Sequence, residues 1–132
     1  MNEYNLVTNS ISVTVLTSYL DDESLPRDSH YVWVYQVIIE NRGSDTVQLM
    51  DRYWHITDSN GHVQEVRGPG VIGRQPVLKP GETFEYASGT HLQTSSGIMY
   101  GHYEMQTSDG KKFNVDIPTF SLDSPAQIAV PN

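Results

Sequence analysis

Apolar and polar residues alternate with a period of two through most of this chain, as expected of strands with one buried face. The longest alternating stretch is His30–Asn41, and its aromatic side is predicted to lie in the core. That side contains Trp33, Tyr35, Val37 and Ile39. Further strands are predicted over 11–15, 47–56, 62–67, 83–88, 99–105 and 113–117. No stretch shows helical spacing of apolar residues, so the sequence predicts an all-β fold of at least seven strands.

Turn signals separate these strands, and Asn60-Gly61 is the strongest, because both residues accept the positive φ angles of a tight hairpin. Val47 and Leu49 have the opposite parity to Trp54 and Ile56, which predicts a bulge within 50–52. Many short strands joined by turns favour a single immunoglobulin-like β-sandwich domain over residues 1–132. We expect an ordered core at about 8–120 and a surface tail at 121–132.

Composition narrows the classes of function. The 132 residues include no cysteine, which excludes disulfides, thiol catalysis and cysteine-ligated zinc, and favours a reducing compartment. No signal-peptide pattern or membrane-length apolar run is present, so the expected location is the cytoplasm. The net charge of −8 disfavours nucleic acid and anionic membranes as partners.

The segment Gly68-Pro69-Gly70-Val71-Ile72-Gly73 matches the G-x-G-x-x-G pattern of dinucleotide-binding folds. That mechanism needs a helix to begin within the glycines, and Pro76 and Pro80 prevent one. A Rossmann site is therefore excluded.

Two interpretations of the loop remain. Backbone N–H groups at Gly68, Gly70 and Gly73, flanked by Arg67 and Arg74, could bind pyrophosphate or a dinucleoside polyphosphate. Alternatively, the glycines only allow a tight crossover between two sheets.

Other constellations are weaker. His55 and His62 lie on opposite arms of the predicted hairpin, and His102 and Glu104 share one face of a strand, which could suit cobalt or zinc. Exposed histidines without a metal are the alternative. No G-x-S-x-G nucleophile elbow is present, and no catalytic residue is predicted.

Tyr53 and Tyr100 fall off the parity of the core face of their strands, so both are candidate interface residues. An exposed sheet edge could also pair with a second copy of the chain through main-chain hydrogen bonds.

A long ordered series of residues resembles the ApaG family, also called CorD. The series comprises Arg52-Tyr53-Trp54-His55-Ile56-Thr57-Asp58, Gly68-Pro69-Gly70-Val71-Ile72-Gly73-Arg74-Gln75-Pro76, Leu78-Lys79-Pro80-Gly81, Tyr86-Ala87-Ser88-Gly89, Gly101, Tyr103 and Ile117-Pro118. The resemblance implies a fibronectin type III-like sandwich with no established catalytic function and no cofactor. It also implies a link to diadenosine polyphosphate hydrolysis by gene neighbourhood, and to cobalt resistance and magnesium efflux by phenotype.

Related domains occur in eukaryotic F-box proteins and in a DNA polymerase delta-interacting protein, where the resemblance implies protein–protein interaction. The leading hypothesis is therefore a non-catalytic binding or regulatory module with an unidentified protein partner. Anion binding at the glycine loop is the alternative, and divalent-metal binding is the third.

Overall fold

The computed structural model describes residues 2–125, which form nine strands in two antiparallel sheets. The strands are β1 (Asn2–Thr8), β2 (Ile11–Tyr19), β3 (Tyr31–Asn41), β4 (Val47–Asp58), β5 (Val63–Pro69), β6 (Val77–Leu78), β7 (Thr83–Leu92), β8 (Ser96–Thr107) and β9 (Lys112–Asp123). One sheet has the order β1-β2-β3-β7. The other has the order β5-β4-β8-β9, and the short β6 also pairs with β4. The predicted β-sandwich is confirmed.

The core lies between the two sheets and is formed by the buried faces that the alternation predicts. The aromatic side of β3 is buried, as is the face of β8 that contains Met99, Tyr103 and Met105. Trp54 of β4 packs against Tyr35 and Phe120, with ring centroids 5.2 and 6.0 Å away. The contact with Tyr35 of β3 joins the two sheets across the core, whereas Phe120 of β9 lies in the same sheet as Trp54.

A bulge interrupts β4 at Met50, where the prediction placed it. Leu49 pairs with Met105 and Asp51 pairs with Glu104, so Met50 is the extra residue of β4. The extra residue reverses the parity of the strand, and both Leu49 and Trp54 can therefore face the core. The pairing of β8 with β9 also shifts register, between Met99 and Gly101. Pro118 of β9 lies in this interruption, where the ladder does not need the main-chain N–H that proline lacks.

The structure differs from the predictions at three places. A strand, β1, precedes the strand predicted to be first; it is an edge strand with little apolar alternation. Strand β9 continues to Asp123, into the predicted tail, while 126–132 lie outside the described residues. In the Asn60-Gly61 turn only Gly61 has a positive φ, of 82°, so the hairpin closes through Gly61 alone.

The two lateral sides of the sandwich are unlike. On one side β1 lies against β9, where the Tyr4 hydroxyl donates to the Ser121 carbonyl and the Asp116 N–H donates to the Thr8 hydroxyl. On the other side are the outer edges of β5 and β7. Residues 2–125 contain no helix that is long and apolar enough to cross a lipid bilayer.

At Gly101 the backbones of β4 and β8 leave no room for a side chain. A Cβ at this position would lie 2.0 Å from the Tyr53 carbonyl oxygen, so Gly101→Ala must separate the two strands. We expect the free energy of unfolding to fall by at least about 2 kcal/mol. Gly89→Ala is the control, because its Cβ would meet only the Trp33 carbonyl oxygen at 3.4 Å. Chemical denaturation of both variants measures the difference, and equal losses would contradict the close approach.

Candidate functional site

Two pairs of aromatic rings lie side by side on the outer face of the five-stranded sheet. Tyr53 and His55 of β4 point away from the core, and register places them opposite His102 and Tyr100 of β8. The rings of Tyr53 and His102 lie 5.2 Å apart, and those of His55 and Tyr100 are stacked at 4.5 Å with an interplanar angle of 18°. We call these four residues and the neighbouring Ile98 the ring face.

The ring face is open to solvent, with Tyr53, His55 and His102 half-buried and the other two residues more exposed. Ile98 is 51% exposed, Tyr100 is 41% exposed, and the nearby Val63 of β5 is 53% exposed. The outer face of an antiparallel sheet is ordinarily polar, so a continuous group of rings and aliphatic side chains there is unusual.

Charged residues border the ring face on the side of β5. The Arg67 guanidinium lies 4.2 Å from the centre of the Tyr53 ring and 3.6 Å from the Glu65 carboxylate. The Tyr53 hydroxyl donates to Glu65 at 2.9 Å, and this hydrogen bond raises the pKa of Tyr53. Tyr53 is therefore a neutral, oriented ring at physiological pH.

A shallow depression of about 320 Å³ lies beside Tyr53, and Arg67, His102, Glu104 and Asp51 line it. Arg52 lines it as well, so the depression combines two carboxylates with two guanidinium groups.

The structure places Tyr53 and Tyr100 on the same exposed face, where parity predicted them to point outward. The sequence analysis did not identify their pairing with His102 and His55. Part of the signal was available, because the four rings occupy outward positions of two predicted strands. It could be read only with the register of β4 against β8, which the bulge at Met50 sets.

The histidines proposed as metal ligands are not brought together. His55 pairs with Glu65 across the hairpin, and the His62 carbonyl accepts the Asp58 N–H, so register separates the two histidines by roughly 10 Å along the strands. The His62 ring instead lies 3.3 Å from the Asp58 carboxylate. His102 and Glu104 do share the outer face of β8. Among residues 2–125 no cluster of three or more His, Asp or Glu side chains could hold a metal ion.

Three N–H groups of the glycine loop are directed at its own chain. The Gly70 N–H donates to the Met50 carbonyl at 2.8 Å, and the N–H groups of Val71 and Arg74 donate to each other's carbonyls. A Cβ on Gly70 would lie 2.1 Å from the Arg74 carbonyl oxygen, so the loop is closed tightly on itself. These three donors cannot converge on an anion.

The flanking arginines turn to different sheets. Arg67 lies over Tyr53 of β4, whereas Arg74 lies 5.4 Å from the centre of the Phe84 ring in β7. Gly68 has a packing role: a Cβ there would lie 3.1 Å from the guanidinium of Arg52. Arg52 reaches across Gly68 and donates to the carbonyls of Pro69 and Gly70 at 3.2 and 2.9 Å.

A buried hydroxyl network, which the sequence analysis missed, lies behind Arg52. The hydroxyls of Tyr86 and Tyr103 share a short hydrogen bond, and the Tyr35 hydroxyl bonds to Ser88. Burial raises the pKa of all three tyrosines, and the bond to Tyr86 further raises that of Tyr103. The hydroxyls stay protonated at neutral pH and supply hydrogen bonds to the core rather than a general base.

Known proteins that resemble this chain in sequence and in structure agree with this architecture. The ApaG domain family matches residues 21–107. This chain belongs to the ApaG family. It is 61% identical to Protein ApaG of Parvibaculum lavamentivorans over 92% of this chain and 94% of that protein. It is 56% identical to Protein ApaG of Sinorhizobium fredii over 98% and 99% of the two chains.

Among solved structures, a Bordetella pertussis protein named ApaA shares the fold with a TM-score of 0.85. It is 46% identical, and the match covers 87% of this chain and 94% of that chain. A second structural-genomics X-ray structure superimposes with a TM-score of 0.84 at 38% identity, over 96% of both chains. Both structures agree with the ApaG-type sandwich described above.

Ile72 occupies a strained position in the glycine loop. Its φ is 43° and that of Gly73 is 76°, the pattern of a type I′ turn, although a β-branched residue is disfavoured at positive φ. Ile72 is 59% exposed, so no burial offsets the strain. Ile72→Asn should raise the free energy of unfolding by about 1 kcal/mol. Val77→Asn, a change at an exposed strand position, is the control and should not raise the free energy of unfolding. Chemical denaturation measures both variants, and a lower free energy of unfolding in both would contradict the strain at Ile72.

An NMR titration with pyrophosphate tests the anion-binding hypothesis directly. Because their donors already have carbonyl acceptors, the amides of Gly70 and Arg74 should show no saturable shift at millimolar ligand. Saturable shifts confined to 67–74 would show that the loop opens to bind the anion.

Proposed function

We propose that this ApaG-family protein is a non-catalytic binding module whose protein partner docks on the ring face. The observation that carries the proposal is the two ring pairs on an outer sheet face, Tyr53 tilted against His102 and His55 stacked on Tyr100. Aromatic side chains at the centre of an interface contribute much of its binding free energy.

The ring face is also organised in advance. Each ring packs on a neighbour, Tyr53 is held by Glu65 and Arg67, and the backbone beneath is a regular sheet. Binding would therefore order few side chains, which lowers its entropic cost.

Acidic residues surround the rings. Asp51, Glu65 and Asp116 are exposed, and Glu104 has only a distant contact with Lys112, at 3.9 Å. The whole chain has a net charge of −8. The partner that suits this surface has an apolar centre and a basic rim.

The proposed role acts through a partner protein, so it requires no catalytic group on this domain. The tyrosine hydroxyls with raised pKa values stay protonated at neutral pH, and the N–H groups of Gly70, Val71 and Arg74 already have carbonyl acceptors. The link of the family to cobalt resistance and magnesium efflux stays a prediction, and it requires no metal ligand on this domain when the partner acts on the cation.

Tyr100→Asp tests the proposal, because it places a charge at the centre of the ring face. In affinity capture from cell extract, a partner retained by the wild type should be lost by this variant. With that partner purified, calorimetry should give binding at least about tenfold weaker.

The matched control is Leu25→Asp, which puts the same charge on an exposed apolar residue of the loop before β3. It should bind as the wild type does, and circular dichroism should show both variants folded. A partner bound equally by Tyr100→Asp would place the interface elsewhere, and no reproducible partner would refute the proposal.

A further inference from the structure

Strand β5 is an edge strand whose residues are exposed on both faces of the sheet, apart from the half-buried Gly68. It runs for seven residues beside β4, and no described strand pairs with its outer edge. Val63 and Val66 are both exposed on it. A long edge of this kind offers unpaired main-chain groups to another strand.

The hydrogen bonds at the two ends of β5 show which main-chain groups face outward. The Asp58 N–H donates to the His62 carbonyl, and the Gly70 N–H donates to the Met50 carbonyl. Even-numbered residues therefore face β4, because main-chain groups alternate in direction along a strand. The N–H and C=O groups of Glu65 and Arg67 point away from β4, in the plane of the sheet, towards its open edge.

The side chains of these two residues have opposite charge and lie on the same outer face, on either side of Val66. An antiparallel copy of β5 centred on Val66 would place Glu65 opposite Arg67 at two equivalent positions. Centring on Glu65 or on Arg67 instead would place like charges directly opposite, which is unfavourable. Of these three registers, the charge pattern favours the one centred on Val66.

We propose that two copies of this protein pair through β5 in an antiparallel, two-fold symmetric arrangement centred on Val66. Glu65 of each copy exchanges both main-chain hydrogen bonds with Arg67 of the other, since residues opposite each other at outward-facing positions form hydrogen-bonded pairs. Each Glu65 then lies between the Arg67 of its own chain and the Arg67 of the second copy. The two Val66 side chains meet on the opposite face.

The proposed pairing is limited in length along β5 and stops at two copies. Pro69 has no N–H, and its carbonyl already accepts from Arg52 at 3.2 Å. The edge of β9 is covered by β1. An isologous contact also closes on itself, so pairing stops at the dimer instead of propagating.

The dimer would join the outer faces of the two five-stranded sheets. Arg67 and Glu65 border the ring face of their own chain, so the second copy would bring its own pair, and its ring face, next to the first. One continuous surface with two sets of rings would result. The inference rests on β5 alone and does not require the proposed partner.

Sedimentation velocity from micromolar to millimolar concentration tests the pairing. The wild type should shift from monomer to dimer as concentration rises. Glu65→Arg should weaken dimerisation by at least about tenfold, because the introduced guanidinium would face Arg67 of the second copy. The double variant E65R/R67E should restore it, since the exchanged charges are again opposite in this register.

Glu85→Arg is the matched control, because it makes the same charge change on β7, the edge strand of the other sheet. It should dimerise as the wild type does. A wild type that stays monomeric at millimolar concentration would overturn the proposal and leave the edge for a strand of another protein. Equal weakening by Glu85→Arg, or no rescue by the double variant, would overturn the register. Tyr100→Asp should still dimerise, which separates this inference from the partner-binding proposal.

Discussion

The carbonyl of Met50 is the point on which the rest of the structure depends. The bulge leaves Met50 without a partner in β8, and its half-buried carbonyl needs donors from elsewhere in the chain. The Gly70 N–H and the Gln75 side-chain amide supply donors at 2.8 and 2.9 Å. The glycine loop is therefore the part of the fold that makes the bulge tolerable. The bulge in turn decides which residues of β4 face the core and which form the ring face.

The sandwich and most of its strands could be predicted from the sequence because burial on one face leaves a period of two. Even the bulge was visible, as a change of parity between Leu49 and Trp54. Strand β1 was not visible, since an edge strand exposed on both faces has no need of alternation. The sequence shows which side chains point outward from a strand but not which strands become neighbours. For that reason Tyr53 and Tyr100 could be selected, whereas their pairing with His102 and His55 could not.

The glycine motif shows why a spacing is weak grounds for chemistry. The same glycines that would expose N–H groups in a phosphate loop here admit the Arg52 guanidinium, close the turn beneath Arg74 and donate to Met50. Each glycine has a local requirement that a Cβ or a negative φ would violate. A G-x-G-x-x-G pattern predicts anion binding only when its N–H groups have no other acceptor, and in this loop Gly70 has one.

Arg67 belongs to both proposed surfaces, because it borders the ring face and lies on the β5 edge. Its guanidinium already has a ring and a carboxylate within its own chain, so a second copy adds a contact to a cation that is held in place. Such a pair costs little side-chain entropy to organise, which favours weak but specific pairing over a permanent dimer. If partner binding also uses the depression beside Tyr53, Arg67 contributes to both surfaces. Occupancy of one surface would then change the affinity of the other, since coupling between two sites that share a residue is reciprocal.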